Sequence, residues 1–420
     1  MARPHPGRRR AAPRGEAGRC AGRVASAARP ALDRRAGADR PGRLGRVKPS
    51  LPVARRGSSL AANLGLSERV FASAADRAMA KAIDAGLERV EQGLVREVGY
   101  ADPIAAQPAR YLLEAGGKRV RPMLTLLTAQ LGDGVTDDVV TAAEAIEITH
   151  LASLYHDDVM DESERRRGVP SAQTVWGNSV AILTGDLLFA RASQLMARLG
   201  ERAIRMQADT FERLVLGQLH ETVGPQPGED PIAHYIQVLA DKTGSLIAAA
   251  AQSGIIFSNA DPAFQEPIIA FGERIGVAFQ LIDDVIDLSP SAAETGKVPG
   301  TDLRAGVVTL PLLRLREIAK TDAPAAALLA RIERDVMPAE PGSVASDPVD
   351  TNTQAARIVP SAATVDAIVA DLREHEATRA TLAEAHRWAR DAVDALAPLP
   401  DGPVKKALTR FADTIVERSN

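Results

Sequence analysis

Residues 148–161 read Ile148-Thr149-His150-Leu151-Ala152-Ser153-Leu154-Tyr155-His156-Asp157-Asp158-Val159-Met160-Asp161. A largely apolar run, suited to the interior of a helix, ends in three carboxylates within five positions. The pattern returns at Phe279-Gln280-Leu281-Ile282-Asp283-Asp284-Val285-Ile286-Asp287. In a helix Asp157 and Asp161 are four residues apart and share a face, as do Asp283 and Asp287. Like charges at that spacing repel, so each cluster weakens its own helix unless cations neutralise it. Hard oxygen ligands suit Mg²⁺, which keeps waters and shares its shell with substrate phosphates. For one cluster alone, a solvated acidic face or helix end is the better reading. Two clusters of matching spacing, each after an apolar run, favour paired metal sites.

Composition narrows the fold. Aromatic residues make up only 3% of the 420, while 45% are hydrophobic. Alanine is abundant and sustained Val/Ile/Thr alternation is rare, which favours helices over strands. The net charge of −3 hides an asymmetry. Residues 1–60 hold 16 Lys/Arg against 3 Asp/Glu, or +13, so the remainder carries −16. An acidic body gives no electrostatic footing for nucleic acid. The single cysteine, Cys20, excludes a disulfide framework and a cysteine-based metal site, and a reducing cytoplasm fits that usage. No run of about 18 apolar residues stands out, so no membrane-spanning segment is expected.

Residues 1–60, rich in Arg, Ala, Pro and Gly, show no apolar periodicity and are expected to be disordered. No continuous apolar core follows the arginines, which argues against a signal peptide. A transit peptide or a start codon placed too far upstream accounts for the tail, and a basic arm touching anionic lipid is a third reading. Residues 61–420 are expected to form one catalytic domain. Helical spacing of apolar residues is predicted over 80–95, 123–131, 139–155, 179–199, 204–219, 232–256 and 268–288, with Gly/Pro/Asp breaks between. Several of these helices are apolar or small on most of their circumference and belong inside a large bundle. Residues 338–362 read as a flexible insertion, after which helices resume.

Several basic segments could supply what Mg²⁺ bridges to. Gly116-Gly117-Lys118-Arg119-Val120-Arg121-Pro122 opens a helix with cationic side chains and free N–H groups, an anion site in prospect. Arg165-Arg166-Arg167-Gly168 follows the first aspartates; taken singly it is a solvated basic helix end, yet arginine suits bidentate phosphate contact. Lys242-Thr243 interrupts an otherwise small and apolar helix, where a buried lysine needs an anion. His150 lies seven positions before Asp157, two turns back on the same face, and reads equally well as a core histidine or a ligand contact.

In order, Gly-Gly-Lys-x-x-Arg, His-x6-Asp-Asp-x-x-Asp, Arg-Arg-Gly, Lys-Thr, Phe-Gln-x-x-Asp-Asp-x-x-Asp and Gly-Lys resemble the trans-polyprenyl diphosphate synthases, from about Ser67 to the C-terminus. The resemblance implies an all-α bundle around a deep central cavity, the isoprenoid synthase fold, usually as a homodimer. It implies head-to-tail condensation of isopentenyl diphosphate onto an allylic diphosphate primer. By motif, Asp157 and Asp161 would bind two Mg²⁺ ions with Asp158 assisting. Asp283 would bind a third, with Asp287 acting through water. Lys118, Arg121, His150 and Arg167 would hold isopentenyl diphosphate; Arg166, Lys242 and Lys297 would face the allylic diphosphate; Thr243 and Gln280 would line the reacting carbon. Where the family often has Gly-Lys-x-Thr-Leu-Pro, this chain has Gly306-Val307-Val308-Thr309-Leu310-Pro311, so one diphosphate-facing lysine is missing.

Three functions share such a fold. A terpene cyclase needs no second diphosphate site, which the Gly-Gly-Lys segment and the second complete aspartate motif argue against. A non-catalytic product-sizing subunit would be expected to lose aspartates, and this chain keeps all six. Among synthases, short-chain enzymes carry a large aromatic near the position held here by Ala152, five residues before Asp157 and about 7.5 Å along the helix axis. Ala152, Ser153 and Thr149 are small, so a medium or long all-trans product is expected, with a transient membrane-surface contact for its release. A bland reading of Ala152 is that it merely permits close helix packing.

Overall fold

The computed structural model describes residues 73–289, 299–337 and 362–418. All lie within one compact unit, Leu51–Asn420. The tail at 1–60, residues 338–361 of the expected insertion and Lys297 fall outside the described residues.

Helix starts follow from local chemistry. Ser73 opens α1 (Ala74–Glu97) with a reciprocal capping box to Asp76. Asp102 caps α2 (Pro103–Glu114), whose proline occupies the first turn where no N–H partner is needed. Arg119, in the left-handed region at φ 50°, precedes α3 (Val120–Thr128), which tightens into a short 3₁₀ turn at Ala129–Leu131. Thr136 caps α4 (Asp137–Met160), and two aspartates in its first turn complement the helix dipole. An antiparallel hairpin pairs β1 (Arg165–Arg166) with β2 (Val169–Pro170), turning through Arg167 and Gly168, both at positive φ. A short α5 (Ala172–Trp176) leads into α6 (Asn178–Leu199) and α7 (Glu201–Val223). Helix α8 (Pro231–Leu239) continues through one wide π turn, Ala240–Gly244, into α9 (Ser245–Phe257). After α10 (Gln265–Asp287) come α11 (Thr301–Arg304), α12 (Leu310–Ile318), α13 (Ala323–Asp335), α14 (Ala362–Glu374), α15 (Glu376–Ala395) and α16 (Pro403–Glu417).

The expected all-α bundle is observed, with the hairpin its sole sheet among the described residues. Helices α4, α9 and α10 are buried on most faces and form its centre. Small residues set their spacing. A Cβ on Gly272 would lie 2.5 Å from Ala248 Cα, and one on Gly276 2.6 Å from Gly244 Cα. The Thr125 and Thr128 hydroxyls each donate at 2.8 Å to α9 carbonyls, of Ala250 and Ala251, and so lock α3 to α9. Helix α2 was not anticipated; Pro108 in its middle disguises it.

One helix is longer and more apolar than the sequence reading suggested. Helix α6 is long and apolar enough to cross a membrane by length and composition, with a mean hydropathy of 1.2 over its most apolar window. Only 39% of that window is buried. One face packs extensively on α4. The other leaves Ile182 and Leu183 exposed, beside an exposed stripe of Val215, Leu216, Leu219 and Val223 on α7. Apolar spacing predicts a helix over 179–199, and not one of membrane length, because Gly185, Asp186 and Arg191 interrupt its apolar run.

Candidate active site

A cavity of about 1170 Å³ opens between the C-terminal ends of α4 and α10 and the walls formed by α7, α8 and α12. Asp161 lines one side; Asp283 and Asp287 line the other. Both acidic clusters thus occupy the last turn of a helix, where the negative end of the dipole already disfavours carboxylates. Asp157 lies one turn deeper. Burial, opposed by Lys242 and reinforced by Asp161, pushes its carboxyl up to about 6. These charges are arranged against their own interest, which a bound cation would reverse.

The middle aspartates behave differently. Asp158, expected to assist the metal, is fully buried and accepts from Arg166 Nε at 2.6 Å. Its backbone carbonyl accepts from Gln173. Its first carboxylate oxygen fastens the Arg165–Pro170 hairpin to α4, and Asp158 does not line the cavity. Asp284 is its counterpart on α10: buried, it accepts from the Tyr235 hydroxyl at 2.7 Å, and burial pushes its carboxyl up to about 8. Asp284 nevertheless lines the cavity, whereas Asp158 does not. Asp287 is partly engaged too, accepting the Asp302 N–H at 3.1 Å.

A cationic nest lies at the Gly116-Gly117 turn. Arg119 is buried, paired with Glu147 at 3.2 Å and with Glu91, and it also donates to the Leu113 and Gly116 carbonyls. Arg167 donates to the carbonyls of Leu112, at 2.8 Å, and Gly116. A Cβ on Gly117 would meet only the movable tips of Arg119 and Arg167, so its φ of 153° is what favours glycine there. Burial, then the neighbouring arginines, hold His150 well below its ordinary range, so the ring is neutral. Burial lowers Arg121 as well, and its Nε has no partner; burial brings Arg167 down to about 10. Lys118, lowered by burial and by Arg418, is also in the field of Asp283. While Lys118 faces Asp283 and Arg418, the structure therefore brings Arg121, His150 and Arg167 together as one electropositive subsite with a buried donor left over. That is what an anion would complete.

Lys242 sits in the π turn, a local widening frequent at functional sites. Gly217 makes room for it: a Cβ there would lie 2.7 Å from the Lys242 amide nitrogen. The Lys242 ammonium pairs with Glu221 at 2.5 Å. Lys242, Gln280 and Arg166 line the cavity; Thr243 is half-buried beside Lys242 and is not among the lining residues. Val307, Val308 and Thr309 line the wall where a further lysine was missed. Ala152 is fully enclosed and does not reach the open cavity.

Three lining residues escaped the sequence reading. Gln218 and Glu221 lie three apart on α7 and face the cavity, with Gln218 Oε1 buried and unpartnered. Their three-residue spacing was the available signal. Arg418, just past α16, pairs with Asp283 at 3.2 Å; nothing local pointed to it.

Among the described residues no three His, Cys, Asp or Glu side chains converge closely enough to hold an ion by themselves. The donors are all carboxylate oxygens: Asp161, Asp283 and Asp287 line the cavity beside cationic groups, with Asp157 one turn behind Asp161. This set fits Mg²⁺ that shares its shell with a diphosphate, and does not fit a preformed all-protein metal cage.

Residues 102–339 match the Polyprenyl synthetase family. A nonaprenyl diphosphate synthase from Mycobacterium tuberculosis is 42% identical over 363 residues, covering 86% of this chain and 98% of its own. Among solved structures, a geranylgeranyl pyrophosphate synthase from Corynebacterium glutamicum with calcium and isoprenyl diphosphate superposes with a TM-score of 0.65. It is 38% identical over 80% of this chain and 96% of its own. A polyprenyl synthase from Caulobacter crescentus, also with calcium and isoprenyl diphosphate, gives 0.69 at 30% identity over 82% of this chain and 98% of its own. The chain therefore belongs to the polyprenyl synthetase family of prenyltransferases.

Proposed function

We propose that this protein is a Mg²⁺-dependent all-trans polyprenyl diphosphate synthase that condenses isopentenyl diphosphate head-to-tail onto an allylic diphosphate, with a medium or long product. The observation that carries this is one cavity lined by Asp161, Asp283 and Asp287 beside Lys242 and Arg166, with a second, buried cationic group of Arg121 and Arg167 around His150 outside that lining. One diphosphate site would serve a cyclase; two serve a condensation.

Asp157, Asp161 and Asp283 would hold Mg²⁺, with Asp287 assisting. The metal, bound with diphosphate, supplies electrophilic stabilisation of the leaving group. Lys242 and Arg166, with Lys297 in the motif, face the same phosphate oxygens, where negative charge grows as the allylic C–O bond breaks. Lys118, Arg121, His150 and Arg167 orient isopentenyl diphosphate so that its double bond meets the electron-poor carbon. Thr243 and Gln280 lie beside that carbon. Apolar side chains such as Ile232, Val238 and Leu239 exclude water from it. A proton leaves the new carbon–carbon unit as the new double bond forms, and the departing diphosphate is the base that takes it.

The exposed apolar stripe on α6 and α7 is covered by a second copy, making a homodimer. Sedimentation of the full chain at micromolar concentration tests this. For the activity, purified protein is incubated with Mg²⁺, labelled isopentenyl diphosphate and farnesyl diphosphate, and the product is chromatographed. A product beyond geranylgeranyl is expected. Arrest at geranylgeranyl would mean a short-chain enzyme, the activity named for the Corynebacterium relative. No elongation would mean a partner subunit.

A further inference from the structure

Arg418 is the last but two residue of the chain, yet its guanidinium lies in the cavity. Helix α16 delivers it there. Phe411 and Ile415 on that helix are buried in the core, which anchors the turn that carries Arg418. On α10, Phe279 and Asp283 are one turn apart, and Arg418 bridges them. Its Cζ stands 5.0 Å from the centre of the Phe279 ring, and its Nη2 is 3.2 Å from Asp283 Oδ1. Arg418 therefore holds an oxygen that a cation at the second aspartate motif would need. The pair is about one-third exposed on both sides, at 32% and 39%, so water can replace either partner.

We infer that Arg418 is the resident counter-ion of Asp283, and that a metal binding at this carboxylate competes with the Arg418 pair and displaces it. The inference rests on the metal role of Asp283 proposed above. A guanidinium and a divalent cation on one carboxylate oxygen repel each other, so the two compete for Asp283. Metal binding at this motif thus carries the cost of breaking the Arg418 pair, and the C-terminal turn moves when the site fills. Arg418 is a positioning residue by this account: it sets the affinity of the second motif and leaves the first untouched.

Binding of Mn²⁺ is measured by electron paramagnetic resonance on the full chain, in the presence of inorganic diphosphate. The parent, R418Q, D283N and the double variant are compared, with circular dichroism as the fold control. D283N should remove one class of Mn²⁺ site. R418Q should tighten that class about fivefold, equal to about 1 kcal/mol, the strength of a well-placed partly exposed ion pair. In the D283N background R418Q should have no effect. If D283N removes the site while R418Q leaves its affinity unchanged or weaker, Arg418 is not the counter-ion, and the reading of the metal site stands. If D283N leaves every Mn²⁺ site in place, the metal role of Asp283 falls and the inference falls with it.

Discussion

Arg119 offers the sharpest test of how the anion nest is built. It is 8% exposed, and its partner Glu147 is 2% exposed. The R119M substitution keeps the length and apolar stem of the side chain and removes its charge. Its backbone at φ 50° is already a non-glycine in the left-handed region, so methionine adds no strain of that kind. What changes is the charge balance. Glu91 is 44% exposed and rehydrates at little cost. Glu147 cannot. Removing one partner of a buried pair costs about 3–5 kcal/mol. Arg121 and Arg167 still face Glu147, so the lower end, about 3 kcal/mol, applies. For a chain of this size that lowers Tm by roughly 6 °C, at about 2 °C per kcal/mol. Loss of the bonds to the Gly116 and Leu113 carbonyls also loosens the turn carrying Lys118, so KM for isopentenyl diphosphate should rise about tenfold, more than kcat falls. Differential scanning fluorimetry and steady-state kinetics read the two effects. The R119M/E147M pair leaves no orphaned acid and should recover at least half of the lost stability. A Tm for R119M within 1 °C of the parent would refute the buried-pair account.

Metal affinity should be pH-dependent in a defined direction. Burial raises the Asp157 carboxyl to about 6, so below that pH the proton competes with the cation; Mn²⁺ affinity at pH 5 should be about tenfold weaker than at pH 7, and a flat titration would contradict it. Because the folded-state value lies above the unfolded one, the same group should make the metal-free protein more stable as pH falls from 6 towards 4. The G217A variant should lose at least tenfold in turnover with its helical circular dichroism intact, because the added Cβ pushes on the Lys242 amide; full activity would mean the π turn does not hold that lysine in place. Ala152 is fully enclosed, so A152F overpacks the bundle by about 1–3 kcal/mol and should shorten the product while the first condensation continues. Unchanged products from a folded A152F enzyme would show that the growing chain does not pass this residue.

What the sequence determined by itself was periodic. Asp157 with Asp161, and Asp283 with Asp287, share faces because a helix turns once in 3.6 residues, and that holds wherever the helix ends up. The all-α architecture followed from the same period, with Ser73, Asp102 and Thr136 marking starts by their own side chains. Helix α2 was obscured by Pro108 in its middle, which removes a helix donor. Which aspartate is tied to a structural partner could not be read locally. Asp158 is engaged by Arg166 from a hairpin, and Asp284 by Tyr235 from a helix 49 residues away, and only packing brings those partners in. Glu221 meets Lys242 because Gly217 lets α7 approach the π turn. Arg418 reaches Asp283 across 135 residues because α16 packs beside α10. A side chain's surroundings are set by whatever the chain returns to that point, and spacing along one helix carries no information about it.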